Sequence, residues 1–290
     1  KMNSEFPDLT TMVNYRDDSN PMNIILGNMQ LRNIHYYDIE GGKTFEGKKH
    51  SRLNINMGYH QTDNAVAYSL VFDKQTGVST VQPISVNGNY RMDLGIGYTR
   101  PLDKKEKLSI DNQASFNYNH NVDMAMVQGA TQSQRSIVNN WKISNVLKLN
   151  YRLDDNYEFT LHGGGTYYLI KSQREGFSNI HAGDYNIGMN AQITLPWKLQ
   201  LTTDLTMFAR RGYQLSEMNT TDWIWNAQLS RSFINKKLLV KLQGFDILRQ
   251  LSNTQYLMNA QGRTETWNNS IPRYMMLSLS WRFNVNPKKK

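Results

Sequence analysis

Two consecutive arginines and a nearby tyrosine form a candidate binding group in this sequence. Arg210 and Arg211 follow a stretch of alternating polar and apolar residues, and Tyr213 comes two residues later. A guanidinium offers a planar fork of hydrogen-bond donors, and a phenol ring offers a stacking face. The group therefore predicts contacts with an anionic or sugar-like solute, and a solvated loop is the alternative interpretation. Trp267 is a similar candidate in a later polar segment.

The residue types that catalysis or metal binding would need lack suitable spacing. The chain has no cysteine, which excludes thiolate zinc sites and cysteine nucleophiles. No H-E-x-x-H or G-x-S-x-G motif is present. We therefore expect no enzyme, no metal and no cofactor. We interpret the histidines as polar wall or loop residues: His35, His50, His60, His120, His162 and His181.

The positive charge of the chain is spread over turns. The net charge is +9, but the lysines and arginines form no stripe or basic helix of the kind that binds nucleic acid. They cluster in short polar segments such as 104–107 and 236–237, and in the tail 288–290. We interpret them as solvated turn charges and expect no nucleic-acid partner. Weak attraction to anionic lipopolysaccharide is a secondary hypothesis.

The segment 272–283 indicates that the candidate binding residues are carried by β-strands. Its side chains alternate between apolar and polar, and a strand points successive side chains to opposite faces. A transmembrane β-barrel has this pattern, with lipid outside, water inside and aromatic residues at the membrane edge. The mean hydropathy of −0.62 does not contradict it, because only alternate residues meet lipid. The apolar face comprises Met275, Leu277, Leu279, Trp281 and Phe283.

Aromatic residues recur at the ends of the predicted strands. Three pairs are each ten residues apart: Trp141 and Tyr151, Tyr157 and Tyr167, and Trp223 and Phe233. Ten residues of a tilted strand rise roughly 25 Å, which is the height of the apolar band of an outer-membrane barrel. We predict lipid-facing aromatic belts that contain Trp141, Tyr151, Tyr157, Tyr167, Trp223, Trp225, Phe233, Trp281 and Phe283.

The chain contains about eleven such strands, and the connections between them alternate between short and long. Tight periplasmic turns and longer extracellular loops are typical of outer-membrane barrels. The fold class predicted is therefore all-β, an antiparallel transmembrane β-barrel. The strands are expected at 30–40, 50–73, 78–100, 106–122, 136–152, 156–173, 178–195, 198–212, 221–234, 236–257 and 270–284.

This strand count predicts the organisation of the chain. Residues 1–29 are expected to be an extracellular loop region, 30–284 the barrel strands, and 285–290 a basic periplasmic tail. An odd count would place the first residue outside the cell, whereas single-chain bacterial barrels have even strand numbers. We therefore expect either the C-terminal half of a larger barrel or one piece of a split barrel.

Three stretches resemble the C-terminal barrel of TonB-dependent outer-membrane receptors, particularly the Bacteroidota outer-membrane β-barrel family. They are the segment from Ser19 to Asn28, the segment Gly244-Phe-Asp-Ile-Leu248, and the closing strand from Arg273 to Phe283. The resemblance implies a 22-stranded barrel with an N-terminal plug, driven through TonB. This chain would then supply roughly the last eleven strands.

The function that follows from the resemblance is import across the bacterial outer membrane. The chain would form the barrel wall of a TonB-dependent importer of a scarce solute, such as a siderophore, cobalamin, a glycan or a peptide. Its partners would be outer-membrane lipid and lipopolysaccharide, the N-terminal barrel half and plug, and the TonB system. The sequence does not decide whether a surface lipoprotein also covers the barrel. The alternatives are a passive porin-like barrel, a structural subunit of an outer-membrane complex, and a soluble β-rich binding protein.

Overall fold

The computed structural model describes residues 1–127, 129–175, 177–251, 254–258, 263–267, 271 and 273–283. Apart from one α-helical turn, α1 (Leu9–Met12), and two 3-10 turns, Pro196–Lys198 and Ser216–Met218, their regular structure is β. No helix in these ranges is long and apolar enough to cross a membrane. The strands are β1 (Met2–Glu5), β2 (Arg16–Asp17), β3 (Asn23–Leu26), β4 (Ile34–Glu46), β5 (Arg52–Asp63), β6 (Ala65–Phe72), β7 (Ser79–Val86), β8 (Asn89–Pro101), β9 (Leu108–Ala125), β10 (Gln134–Asp154), β11 (Tyr157–Ser172), β12 (Ile180–Leu195), β13 (Leu199–Arg211), β14 (Thr221–Phe233), β15 (Leu238–Phe245), β16 (Thr254–Met258), β17 (Arg263–Trp267) and β18 (Tyr274–Trp281).

Twelve of these strands form one antiparallel sheet, which confirms the predicted all-β antiparallel architecture. Its order is β1-β4-β5-β8-β9-β10-β11-β12-β13-β14-β15-β18. Each strand from β8 to β14 pairs with the next strand in the chain, so this part of the sheet is built from consecutive hairpins, and β15 pairs with the closing strand β18. Among the described residues, the edge strands β1 and β18 each pair on one side only.

Three of the predicted long strands are interrupted. The stretch predicted at 236–257 ends as β15 at Phe245, next to Asp246 with a φ of 44°, and β16 pairs with β17 in a separate two-stranded sheet. The stretch predicted at 50–73 breaks at Asn64, where φ is 55°, and continues as β6. The stretch predicted at 78–100 breaks at Gly88, where φ is 105°. This left-handed backbone favours glycine and asparagine over other residues. The bent ends, β6 and β7, leave the main sheet and join β2 and β3 in a four-stranded sheet.

The segment predicted as a loop, residues 1–29, contains regular structure. β1 pairs with the start of β4, with Met2 opposite Tyr37 and Glu5 opposite Ile34. β3 pairs in parallel with β7. The alternation signal misses these elements because each strand is only two to four residues long. The predicted tail 285–290 lies outside the described residues.

Large apolar side chains cover one face of the main sheet and remain exposed. Ile39, Leu277 and Leu279 are 70, 65 and 68% exposed. Residues paired across strands share a face, so the register carries this face continuously from β4 to β18. We call it the outer face and the opposite one the inner face. A soluble sheet protein would bury such a surface against a second layer.

The hairpin connections differ in length between the two ends of the sheet. At one end the turns are short, for example 102–107, 155–156 and 234–237. In the first of these turns, the Asp103 carboxylate accepts a 2.8 Å hydrogen bond from the backbone N–H of Leu108. The backbone N–H groups that bond this carboxylate, that of Leu108 above all, lower the pKa of Asp103. The long connections, including 173–179 and 212–220, lie at the other end.

Candidate functional site

The inner face of the sheet is a polar wall. Its strands present hydroxyl, amide and charged groups that bond one another across neighbouring strands. Examples are Ser144 with Thr166 at 2.9 Å, and Thr160, which donates to Asn150 at 2.9 Å. Such a face suits contact with water rather than with lipid. The polar inner face therefore suits a hydrated environment, and the apolar outer face suits lipid.

A cavity of about 370 Å³ opens on the inner face near the end with long connections. The register of β11, β12, β13 and β14 brings its polar groups together. Asp184 lies opposite both Thr166 and Arg210, and Asp222 lies opposite Phe208. The residues that line it include Thr166, Asp184, Asn186, Phe208, Arg210, Thr220, Asp222, Ile224 and Leu251.

Tyr213 ties the connection 212–220 to this wall. Its hydroxyl donates a 2.8 Å hydrogen bond to Asp184 Oδ1. Its ring packs against a buried apolar cluster on the inner face, formed by Val138, Ile170, Ile180 and Ala182. Burial, followed by the hydrogen bond and negative charge of Asp184, raises the pKa of Tyr213 above its usual value. The tyrosine is therefore a neutral hydrogen-bond donor at neutral pH.

The two consecutive arginines lie on opposite faces of β13. Arg210 faces the cavity, with its Nε 4.0 Å from Asp184 Oδ1. Arg211 belongs to the outer face, opposite Gly183. Its guanidinium donates to the carbonyl oxygens of Arg210 and Thr220, both at 2.7 Å. Of the predicted group, Arg210 and Tyr213 therefore meet at Asp184, which lines the cavity, and Arg211 does not.

The charge of the cavity limits what it can bind. Asp184 and Asp222 supply two carboxylates against the single guanidinium of Arg210. An anionic solute would meet net negative charge, which opposes binding. Carboxylates, an amide and a guanidinium can instead accept and donate hydrogen bonds to hydroxyl groups, and Phe208 adds an aromatic surface. The arrangement favours a polyhydroxylated or cationic solute over an anion.

The remaining predicted residues fall in two places. Trp267 ends β17, where its backbone is opposite Thr254, and its side chain lies outside the described residues. The nine predicted belt residues all occupy positions that point to the outer face. Trp223 and Trp225 are 40 and 38% exposed there, and Phe283 follows β18 with its ring 6.2 Å from that of Trp281. Their contact with lipid stays a prediction.

Two further groups of inner-face residues were not recognised as groups from the sequence, which predicted His60 only as a polar wall or loop residue. The only sequence signal for Asp184 and Asp222 is that both lie at inward-facing positions of predicted strands. A second group surrounds His60, whose Nδ1 is 2.7 Å from Asp38 Oδ1 and whose Nε2 is 3.5 Å from Asp93 Oδ2. These residues come from three strands, so sequence spacing does not reveal them. Within the described ranges, no group of these side chains is arranged to hold a metal ion.

The sheet, its apolar outer face and its polar inner face define the wall of a transmembrane β-barrel. The model of the outer membrane protein beta-barrel family matches the chain over residues 2–164 and 131–281. The protein belongs to this family. A comparison with curated proteins gives no match. The family places the chain in the bacterial outer membrane, which confirms the predicted barrel and location, and the soluble alternative is wrong.

Proposed function

We propose that this barrel wall belongs to a TonB-dependent importer that captures a scarce, polyhydroxylated or cationic solute. The long connections would face the outside of the cell, because outer-membrane barrels keep short turns in the periplasm. The cavity beside Asp184 then lies at the extracellular end of the wall, where capture occurs. A plug and further strands would complete the importer.

The observation that best supports this proposal is that the connection 212–220 folds onto the inner face. Tyr213 packs on the apolar cluster there, and Met218 of the same connection is 1% exposed. A passive pore needs only an open, hydrated lumen. A loop fixed beside a cavity with convergent polar groups supports capture of a particular solute.

The free edges of the sheet support a barrel wider than the described strands. In the described ranges, β1 and β18 each leave one side unpaired. Unpaired strand edges are not stable in the hydrocarbon region, so both must meet partner strands. Eleven long strands fit half of the 22-stranded barrel that the resemblance implies. The N-terminal half, the plug and the TonB system are the partners in this proposal.

Uptake measurements test the energy coupling. Whole cells that produce the full-length protein would be given radiolabelled maltoheptaose, ferrichrome, cyanocobalamin or a tetrapeptide, with and without a functional TonB. We expect saturable uptake of one solute that is lost when TonB is deleted. Uptake that is unsaturable and independent of TonB would favour the porin-like alternative, and no uptake of any solute would favour a structural barrel.

Matched carboxylate variants test the cavity. Asp222→Asn removes one charge from the cavity, whereas Asp204→Asn removes the same charge from the inner face of β13 outside it. A lost charge-assisted hydrogen bond costs about tenfold or more in affinity. We expect about tenfold weaker half-saturation of uptake for Asp222→Asn and no change for Asp204→Asn. Equal effects of the two variants would contradict this location of the site.

A further inference from the structure

We propose that the outer face of β11, β12 and β13 binds a phosphate group of lipopolysaccharide. The surface consists of Lys171, His181 and Arg211, with the hydroxyls of Tyr167 and Tyr185 beside them; we call it the basic arc. It faces away from the solute pathway and depends only on the location of the chain in the outer membrane.

The register places the three basic residues next to one another. Arg211 lies opposite Gly183, which is two residues along β12 from His181. His181 in turn lies opposite Leu169, which is two residues along β11 from Lys171. Residues two apart on a strand share a face. The three basic side chains therefore occupy neighbouring positions on three adjacent strands of the outer face.

Two tyrosines extend the arc with hydroxyl groups. The Tyr167 hydroxyl shares a 3.0 Å hydrogen bond with His181 Nδ1. The ring of Tyr185 lies over Gly183, and its hydroxyl is at the place that a side chain at Gly183 would occupy. Ammonium, guanidinium and phenol groups all donate hydrogen bonds to phosphate oxygens. Gly183 leaves the room that brings these donors together.

The height of the arc matches the head groups of the outer leaflet. Tyr167 lies ten residues above Tyr157 on β11, so the two belong to opposite edges of the apolar band. Lys171 is four residues further along, a rise of roughly 10 Å on a tilted strand. On β12, His181 is likewise four residues beyond Tyr185. Lys171 and His181 therefore stand just above the aromatic belt, and Arg211 lies opposite Gly183, which pairs with the belt residue Tyr167.

The charge of this region is of one sign. The outer-face residues of β11, β12 and β13 at and above this height are Leu169, Lys171, His181, Gly183, Ala209 and Arg211. None is acidic. The outer leaflet of this membrane carries phosphorylated glycolipid, and lipid phosphates attract basic residues at the surface. Charge complementarity therefore selects lipopolysaccharide over a protein partner.

Charge reversal of one lysine on each face of the sheet tests the proposal. Lys171→Glu removes a cation from the arc, and Lys148→Glu makes the same change on the inner face of the neighbouring strand β10. Both lysines are exposed. The full-length protein in detergent would be titrated with fluorescent lipopolysaccharide, with the same lipid after chemical removal of its phosphates, and with inorganic phosphate as competitor.

Each basic residue at a charged membrane surface contributes about fivefold to binding, so a reversal should weaken it about 25-fold. We expect this loss for Lys171→Glu and for the dephosphorylated lipid with the wild-type protein, and no loss for Lys148→Glu. Heat-modifiable gel mobility checks that each variant is folded. Tyr167→Phe, which removes one hydroxyl, should weaken binding severalfold. Equal affinity for both lipid forms, equal loss in both lysine variants, or full competition by inorganic phosphate would overturn the proposal.

Discussion

The hydroxyl of Tyr213 donates a 2.8 Å hydrogen bond to Asp184 Oδ1, although 29 residues separate the two in the sequence. The bond joins the long connection after β13 to the inner face of β12. It also holds one oxygen of the Asp184 carboxylate, which lines the cavity, in a fixed orientation. The same contact therefore holds the loop in place and orients a group of the candidate site.

The first prediction concerns the ionisation of Tyr213. Its folded-state pKa is raised, first by burial and then by Asp184, whereas an unfolded tyrosine has a pKa of about 10. The stabilisation is therefore complete below about pH 10 and is lost as the pH rises through the folded-state pKa. We expect the 295 nm absorbance difference between wild type and Tyr213→Phe to appear well above pH 10. An absorbance difference that is complete near pH 10 would contradict the raised pKa of Tyr213. Asp184→Asn should shift the absorbance change to lower pH, because it removes the negative charge beside the hydroxyl.

The second prediction separates the two consecutive arginines. Arg211→Gln removes hydrogen bonds to the carbonyl oxygens of Arg210 and Thr220, so the connection 212–220 should open more readily. A net loss of about 1 kcal/mol in local stability corresponds to roughly fivefold faster limited proteolysis in this connection. Arg210→Gln, the control, should leave proteolysis unchanged but weaken solute uptake. Equal cleavage rates in the two variants would show that Arg211 does not hold the loop.

The third prediction concerns Gly188 on the inner face of β12. A side chain there would meet the carbonyl oxygen of Leu205 and the His162 Nε2 at 2.7 Å. Gly188→Ala should therefore lower the free energy of unfolding by about 1–3 kcal/mol. Gly163→Ala is the matched control, because its added carbon meets only the Asn186 carbonyl oxygen at 3.7 Å. Urea unfolding of the protein in lipid vesicles measures both, and equal stabilities would refute the crowding argument.

The fourth prediction tests which face meets lipid. Met189 and Asn190 are neighbours on β12; Met189 has the outer-face parity and Asn190 the inner-face parity. Met189→Arg should lower the free energy of unfolding in vesicles by about 2–4 kcal/mol, the cost of a cation near the middle of the apolar band. Asn190→Arg should change it little, because the inner face is hydrated. The reverse order of the two variants would mean that the faces are assigned wrongly.

Much of the wall could be predicted because its signal is local. Alternation over ten or more residues marked the strands from β9 to β14, and the apolar face of the closing strand identified lipid as its environment. The prediction was incomplete where elements are short, as in β1, and where a strand bends, as at Asn64 and Gly88. A bend needs only one left-handed residue, which leaves the alternation on either side intact.

The sequence by itself determined the strands, their two faces and the solvent of each face, because side-chain period is a property of one strand. The tertiary structure alone decided which polar residues meet. The register brings Asp184 to Arg210, and the folding of the connection 212–220 brings Tyr213 to Asp184. The separation of Arg211 from Arg210, by contrast, follows from the side-chain period alone, because both residues belong to β13. Cross-strand contacts depend on register and loop packing, and neither is encoded in the alternation of a single strand.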